Sequence, residues 1–170
     1  LGTFSLQKGV LWWAGHHRTH HKHSGTDLDI HAPETKGFWW SHIGWSLSDK
    51  YLDTPGHLIK DFNKYPELRF LNKHAIAVGV IPGLLILATL GLSAFVWIFV
   101  VSTVFLYHGT FFINSLAHKI GKRRFNTTDD SRNSWVLALI TFGEGWHNNH
   151  HHYQNSCRQG FYWWELDMSY

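Results

Sequence analysis

Between Lys73 and Lys119 the chain carries no Lys or Arg, and between Glu67 and Asp129 it carries no Asp or Glu. Residues 74–118 are therefore a 45-residue stretch without a formal charge, rich in Ile, Leu, Val and Phe. A helix crossing the hydrocarbon core of a bilayer needs about 20 mainly apolar residues. The stretch accommodates two such helices and a tight turn. Leu90-Gly91-Leu92-Ser93 is the expected turn, because Gly and Ser interrupt the apolar run there. Lys60, Lys64, Arg69 and Lys73 precede the stretch, and Lys119, Lys122, Arg123 and Arg124 follow it. Lys and Arg concentrate in cytoplasmic flanks, so both ends are expected on the cytoplasmic side and the turn on the other. The competing reading is a buried helical hairpin of a water-soluble domain. A soluble core rarely needs two consecutive uncharged segments of this length. Pro82 is tolerated within a membrane helix.

The fold class this implies is an all-α integral membrane protein. A transmembrane helical hairpin (74–118) is flanked by cytosolic segments 1–73 and 119–170, the three forming one domain. Mean hydropathy over the chain is slightly negative only because it averages the apolar stretch with polar arms. The net charge of +3 comes without a Lys/Arg-rich run suited to nucleic acid, which argues against a nucleic-acid partner. The single Cys, Cys157, excludes an internal disulfide framework, a Cys-rich zinc module and a Cys-ligated iron–sulfur cluster. Trp39, Trp40, Trp45, Trp135, Trp163 and Trp164 suit the level of lipid headgroups.

The arms hold most of the 15 histidines, and they hold them in clusters. His17-Arg18-Thr19-His20-His21 and His147-Asn148-Asn149-His150-His151 both read H-x-x-H-H. On a helix, positions i, i+3 and i+4 share a face, so each triplet can aim three imidazoles at one point. Asn114 and His118, spaced i and i+4, close the uncharged stretch, where polar side chains are functional candidates. The expected topology returns His118 to the side where both triplets lie. Seven imidazoles exceed the three protein ligands of a typical catalytic zinc, so two metals are expected. Ligand type alone leaves Zn, Cu, Fe and Ni open. Asp27, Asp29 and Glu144 are close in sequence to the triplets and are candidates to receive the second ring N–H of a ligand histidine. Glu144 would neighbour His147 on a continuous helix.

The pieces HRTHH, SGTDLDIH, GFWWSHIGW, NSLAH and GEGWHNNHH, in that order, resemble the membrane fatty-acyl desaturases, most of all the stearoyl-CoA-type delta-9 branch. The resemblance covers nearly the whole chain and implies the last two of four spans, a cytosolic helical cap and a di-iron centre. By motif position it implies His17, His20, His21, His118, His147, His150 and His151 as iron ligands, with Asn114 holding a water. Two further ligands would come from an upstream H-x-x-x-x-H pair, so the chain reads as the C-terminal half and is expected to be inactive alone. His31 lies in a shared motif and is expected to support the first triplet. His16 stands where animal relatives carry Asp. His23 and His152 are additional and are not expected to bind metal. His108, beside Tyr107, is expected to face the protein interior. The resemblance also places Thr110 and Phe111 near the bend of an acyl tunnel, and Arg18 and Lys50 near a thioester headgroup.

The implied reaction is O2-dependent insertion of a cis double bond, at the delta-9 position, into a saturated acyl chain linked to CoA or lipid. The chain has no cluster-forming Cys set, no G-x-G-x-x-G and no haem-attachment C-x-x-C-H, so an external donor such as a ferredoxin or b-type cytochrome is implied. The basic stretch Lys119–Arg124 is a candidate surface for it. Competing functions are a membrane di-iron hydroxylase or ketolase, a non-enzymatic membrane metal-binding protein, and an inactive pseudo-enzyme.

Overall fold

The computed structural model describes residues 2–170, which form helices and turns with no β-strand among them. The chain divides into two compact units, residues 1–19 with 49–108 and residues 20–48 with 109–170.

The helix α1 (Val10–His23) begins in the first unit. Its first turn is fastened from outside: the Asn72 Oδ1 accepts the backbone N–H groups of Leu11 at 3.0 Å and Trp12 at 2.9 Å. These are donors that a helix start otherwise leaves unsatisfied. Asn72 belongs to α2 (Pro66–Lys73), which opens on Pro66, where the fixed φ suits a helix and the missing N–H costs nothing. The apolar stretch follows as α3 (Ala75–Ala94), a wider-wound π segment (Phe95–Val101) and α4 (Ser102–Ser115), which ends in the second unit. Helical geometry breaks once inside α3, at Gly91, with φ 80° and ψ 179°. Only glycine adopts that conformation without strain, and it falls within the turn expected from the sequence. Gly83 lies against the ring of Phe99, so close that a Cβ would stand 2.6 Å from it. Ile76, Leu85, Trp97 and Phe105 are all more than half exposed. The run Ala75–His118 is apolar and long enough to cross a membrane. His108 is exposed in this chain, against the expectation that it faces inward.

In the second unit, two short helices, α5 (Trp135–Ile140) and α6 (His147–His152), are held by side chains. The Ser134 hydroxyl caps α5 by accepting the Leu137 N–H. α6 has six residues, far below the length at which a helix persists alone. Its two asparagines, both fully buried, fix it in place. The Asn148 Oδ1 accepts the backbone N–H groups of Arg124 (2.8 Å) and Phe125 (2.7 Å). The Asn149 Oδ1 accepts from Asn133 (2.7 Å) and Arg124 (3.0 Å), and its Nδ2 donates to the carbonyl of Gln159 (2.8 Å) and to Glu165 (3.2 Å).

Replacing Gly91 by Val is expected to destabilise the full-length protein by roughly 1–2 kcal/mol, because a β-branched residue resists positive φ. A lowered midpoint of thermal unfolding in detergent checks this, and an unchanged midpoint would contradict it.

Candidate metal centre

The second unit collects histidines from three places. His20 and His21 come from the last turns of α1, His118 from the short turn Leu116–His118 that ends the apolar run, and His147, His150 and His151 from α6. Helical spacing puts His147 and His151 on one face, with Nε2 atoms 3.0 Å apart. The His147 Nε2 is 3.1 Å from the His118 Nε2, and the His151 Nε2 is 3.3 Å from the His20 Nε2. All four rings are buried, and their ligand nitrogens lie within 4.8 Å of one another. A second pair, His21 and His150, meets with Nε2 atoms 2.9 Å apart.

Carboxylates determine which ring nitrogens point inward. A carboxylate only accepts, so the nitrogen facing it carries the proton. The His20 Nδ1–H donates to both oxygens of Asp29 at 3.0 Å, and the His151 Nδ1–H donates to Asp129 at 2.8 Å. In the neutral rings, Nε2 of each is then a bare lone pair, and the two lone pairs face each other. Such a contact repels unless a cation lies between them. A metal bound at about 2.0–2.1 Å to two imidazoles holds their nitrogens about 3.0–3.4 Å apart, which is the spacing seen here. Burial first, and neighbouring imidazoles second, hold His147 and His151 well below the ordinary histidine pKa, and burial lowers His150 to about 4. All three are neutral at physiological pH, the state that binds metal. The donor set therefore suits a first-row metal cation.

Asn114 is buried near the end of α4, and its Nδ2 has no hydrogen-bond partner among the described residues. A buried amide in that state calls for a partner outside the protein. His31 is buried and stacks on His20, with ring centroids 4.2 Å apart, and its backbone N–H donates to Asp29. The buried Asp129 also accepts the Ser131 N–H at 2.8 Å, which orients its carboxylate.

His17 lies in the first unit, one turn before His20 and His21 on α1. Asp27 is exposed, two residues from the buried Asp29. The continuous helix that would set Glu144 beside His147 does not form. The chain turns through Phe142, with φ 57°, and α6 begins only at His147. Glu144 sits largely buried in that turn, where burial raises its pKa, opposed by Gln159 and reinforced by Asp167. Phe111 is buried and Thr110 half-buried. Phe111 packs edge-on against His42, whose Nδ1 donates to the Ser115 hydroxyl at 3.1 Å. In the first unit, Arg18 is bound by both oxygens of Asp61 at 2.7 Å and by the Leu58 carbonyl at 2.6 Å, and Lys50 is exposed. The basic stretch 119–124 is less available than its sequence suggests. Arg124 bonds Glu165 and Asn149, and Arg123 lies 3.6 Å from Asp130.

A family model described as fatty acid desaturase matches residues 1–169. The chain is 45% identical over 171 residues to an sn-1 stearoyl-lipid 9-desaturase of Anabaena variabilis, across 99% of this chain and 62% of that protein. It is 44% identical over 171 residues to an sn-1 stearoyl-lipid 9-desaturase of Synechocystis sp., across 99% of this chain and 53% of that protein. It is 40% identical over 177 residues to an icosanoyl-CoA 5-desaturase of Limnanthes douglasii, across 99% of this chain and 48% of that protein. The chain thus spans roughly half to three fifths of the length of these relatives.

Asp129→Asn is expected to weaken metal retention roughly 10–100-fold, since it removes the charge that fixes the His151 tautomer. Metal content of the full-length protein after dialysis against a graded chelator series measures this, and retention equal to the parent would remove Asp129 from the support of the site. The raised pKa of Glu144 means that the folded state binds its proton more tightly than the unfolded chain. Its contribution to stability is present below the ordinary carboxyl value of 4.5 and is lost as pH rises through the folded value. Glu144→Gln is therefore expected to raise the unfolding midpoint near neutral pH, with the gain vanishing in acid. A gain that grows on acidification would contradict the sign.

Proposed function

The chain belongs to the fatty acid desaturase family, and from that premise we propose that it forms the metal-bearing C-terminal half of a membrane acyl desaturase that places a cis double bond at carbon 9 of a saturated, lipid-linked acyl chain. The observation that carries this reading is the buried group His20, His118, His147 and His151, with two of its rings fixed by carboxylates. We assign these four, with His17, His21 and His150, as ligands of two irons, and Asn114 as the holder of a water. Two more ligands are proposed to come from an H-x-x-x-x-H pair elsewhere in the longer, full-length protein.

Two hydrogens leave adjacent carbons of the acyl chain, and O2 with two electrons and two protons ends as two waters. The bound irons supply the oxidising chemistry with O2 that an unactivated C–H bond requires. The protein's own groups do the rest. Asp29 and Asp129 hold His20 and His151 with Nε2 inward. Burial keeps His147, His150 and His151 neutral. Thr110 and Phe111 are assigned to the wall of the acyl channel, where fixing the chain selects the carbon that reacts. The electrons are assigned to an external ferredoxin or b-type cytochrome. Arg18 would have to exchange Asp61 for a substrate headgroup, and Lys50, which lies over the Tyr51 ring, is the second proposed headgroup contact. The break at Gly91 and the approach of Gly83 to Phe99 support a two-span hairpin, and the flanking Lys and Arg residues support both ends and the metal centre lying on the cytoplasmic face.

The carbon-9 position and the lipid carrier follow the names of the two stearoyl-lipid relatives. A CoA-linked substrate is the second reading, favoured by the icosanoyl-CoA relative. Expression of the full-length protein in a desaturase-deficient host, followed by lipid analysis, tests both, with new unsaturation expected at carbon 9. Hydroxylated acids, or no double bonds despite bound iron, would overturn the reading. His118→Ala is expected to lose both iron and activity, and unchanged iron content would remove His118 from the ligand set.

A further inference from the structure

At the foot of the apolar run, the first unit contains a cleft of about 260 Å³ lined by Leu11, Thr54, Ile59, Asn63, Arg69 and Lys73, with Asn72 between the two cations. Arg69 and Lys73 stand i and i+4 on α2, so they share a face. Among the described residues, neither lies within ion-pair distance of a carboxylate. The hydroxyl of Thr54 and the amides of Asn63 and Asn72 add uncharged hydrogen-bonding groups to the wall. Leu11 and Ile59, both buried, give it an apolar floor. The cleft has no acidic group on its lining. Two cations with flanking neutral hydrogen-bond groups match a phosphate, which Arg engages with two N–H groups and Lys as a point charge.

The surroundings indicate where that phosphate comes from. Lys73 is two residues before Ala75, where the apolar run begins. Phe62, Tyr65 and Phe70 are exposed on the same segment. Exposed aromatics next to cations at the end of an apolar helix are the pattern of a segment lying at headgroup level, where anionic lipids attract Lys and Arg. We propose that the Asn63–Arg69–Asn72–Lys73 cleft binds the phosphate of an anionic phospholipid headgroup. The site is separate from the metal ligands. Its Asn72 also fastens the first turn of α1, so a bound headgroup steadies the start of the helix that carries His17, His20 and His21. The proposal rests on the membrane placement of residues 74–118.

The test uses the full-length protein in nanodiscs of phosphatidylcholine with increasing phosphatidylglycerol, read by the thermal midpoint and by lipid retained in native mass spectrometry. Phosphatidylglycerol is expected to raise the midpoint and to be retained. Arg69→Gln with Lys73→Gln is expected to require on the order of tenfold more phosphatidylglycerol for half the effect. Lys60→Gln with Lys64→Gln, equal in charge change and on the same segment, is expected to retain most of it. Equal loss in both double variants would reduce the effect to diffuse surface attraction and overturn the site, as would no preference for phosphatidylglycerol. Inorganic phosphate reproducing the shift in pure phosphatidylcholine would overturn the lipid source. If the Arg69/Lys73 variant is already less stable in pure phosphatidylcholine, Lys73→Gln alone carries the comparison, because that side chain is exposed. Failure of the protein to enter nanodiscs would instead count against the membrane placement.

Discussion

Two carboxylate–imidazole pairs underlie the order of the metal centre. Asp29 with His20 and Asp129 with His151 decide which nitrogen of each ring is protonated, and thereby turn two lone pairs toward the same point. Without them, each ring has two tautomers and can turn its N–H inward, and the cluster becomes a set of ordinary hydrogen-bonding side chains. The surrounding burial acts in the same sense. It depresses the pKa of His147, His150 and His151, so protons compete weakly with a metal near neutral pH.

Keeping these rings in place falls to elements too short to be stable by themselves. α6 has six residues and presents three proposed ligands. Its other polar positions, Asn148 and Asn149, point away from the metal cluster and bind backbone and side chains from segments 124–133 and 159–165. A long helix gains its position from an apolar stripe. Here the work is done by amides with donors and acceptors on both edges, which hydrophobic residues at those positions could not replace.

Much of this was legible in the sequence because it follows simple periods. The uncharged stretch announces an apolar helical run by length, Gly91 marks its break, and H-x-x-H-H announces one helix face. Asp29 was accessible by proximity to the first triplet. Asp129 was not: it lies 22 residues before His151 in an irregular polar loop, and no period links the two. Glu144 was misplaced for the complementary reason. A helical period was extended back from His147 to Glu144, but the helix begins only at His147. Arg123 and Arg124 illustrate a third gap, because counting charges does not reveal that Asp130 and Glu165 already occupy them.

Glu165 is buried and bound on several sides. Its carboxylate accepts the backbone N–H groups of Phe161 and Tyr162 and the Asn149 amide, and it pairs with Arg124. The aromatic tail is thereby tied to the histidine helix, alongside the Asn149–Gln159 and Trp146–Leu166 hydrogen bonds. Local opening of the tail and of α6 should then be one cooperative event, with backbone amides in 145–151 and 159–166 exchanging with solvent at a common rate. Residues 159–166 act as a clasp on the histidine helix, and the proposed ligands His147, His150 and His151 are ordered only while that clasp is closed.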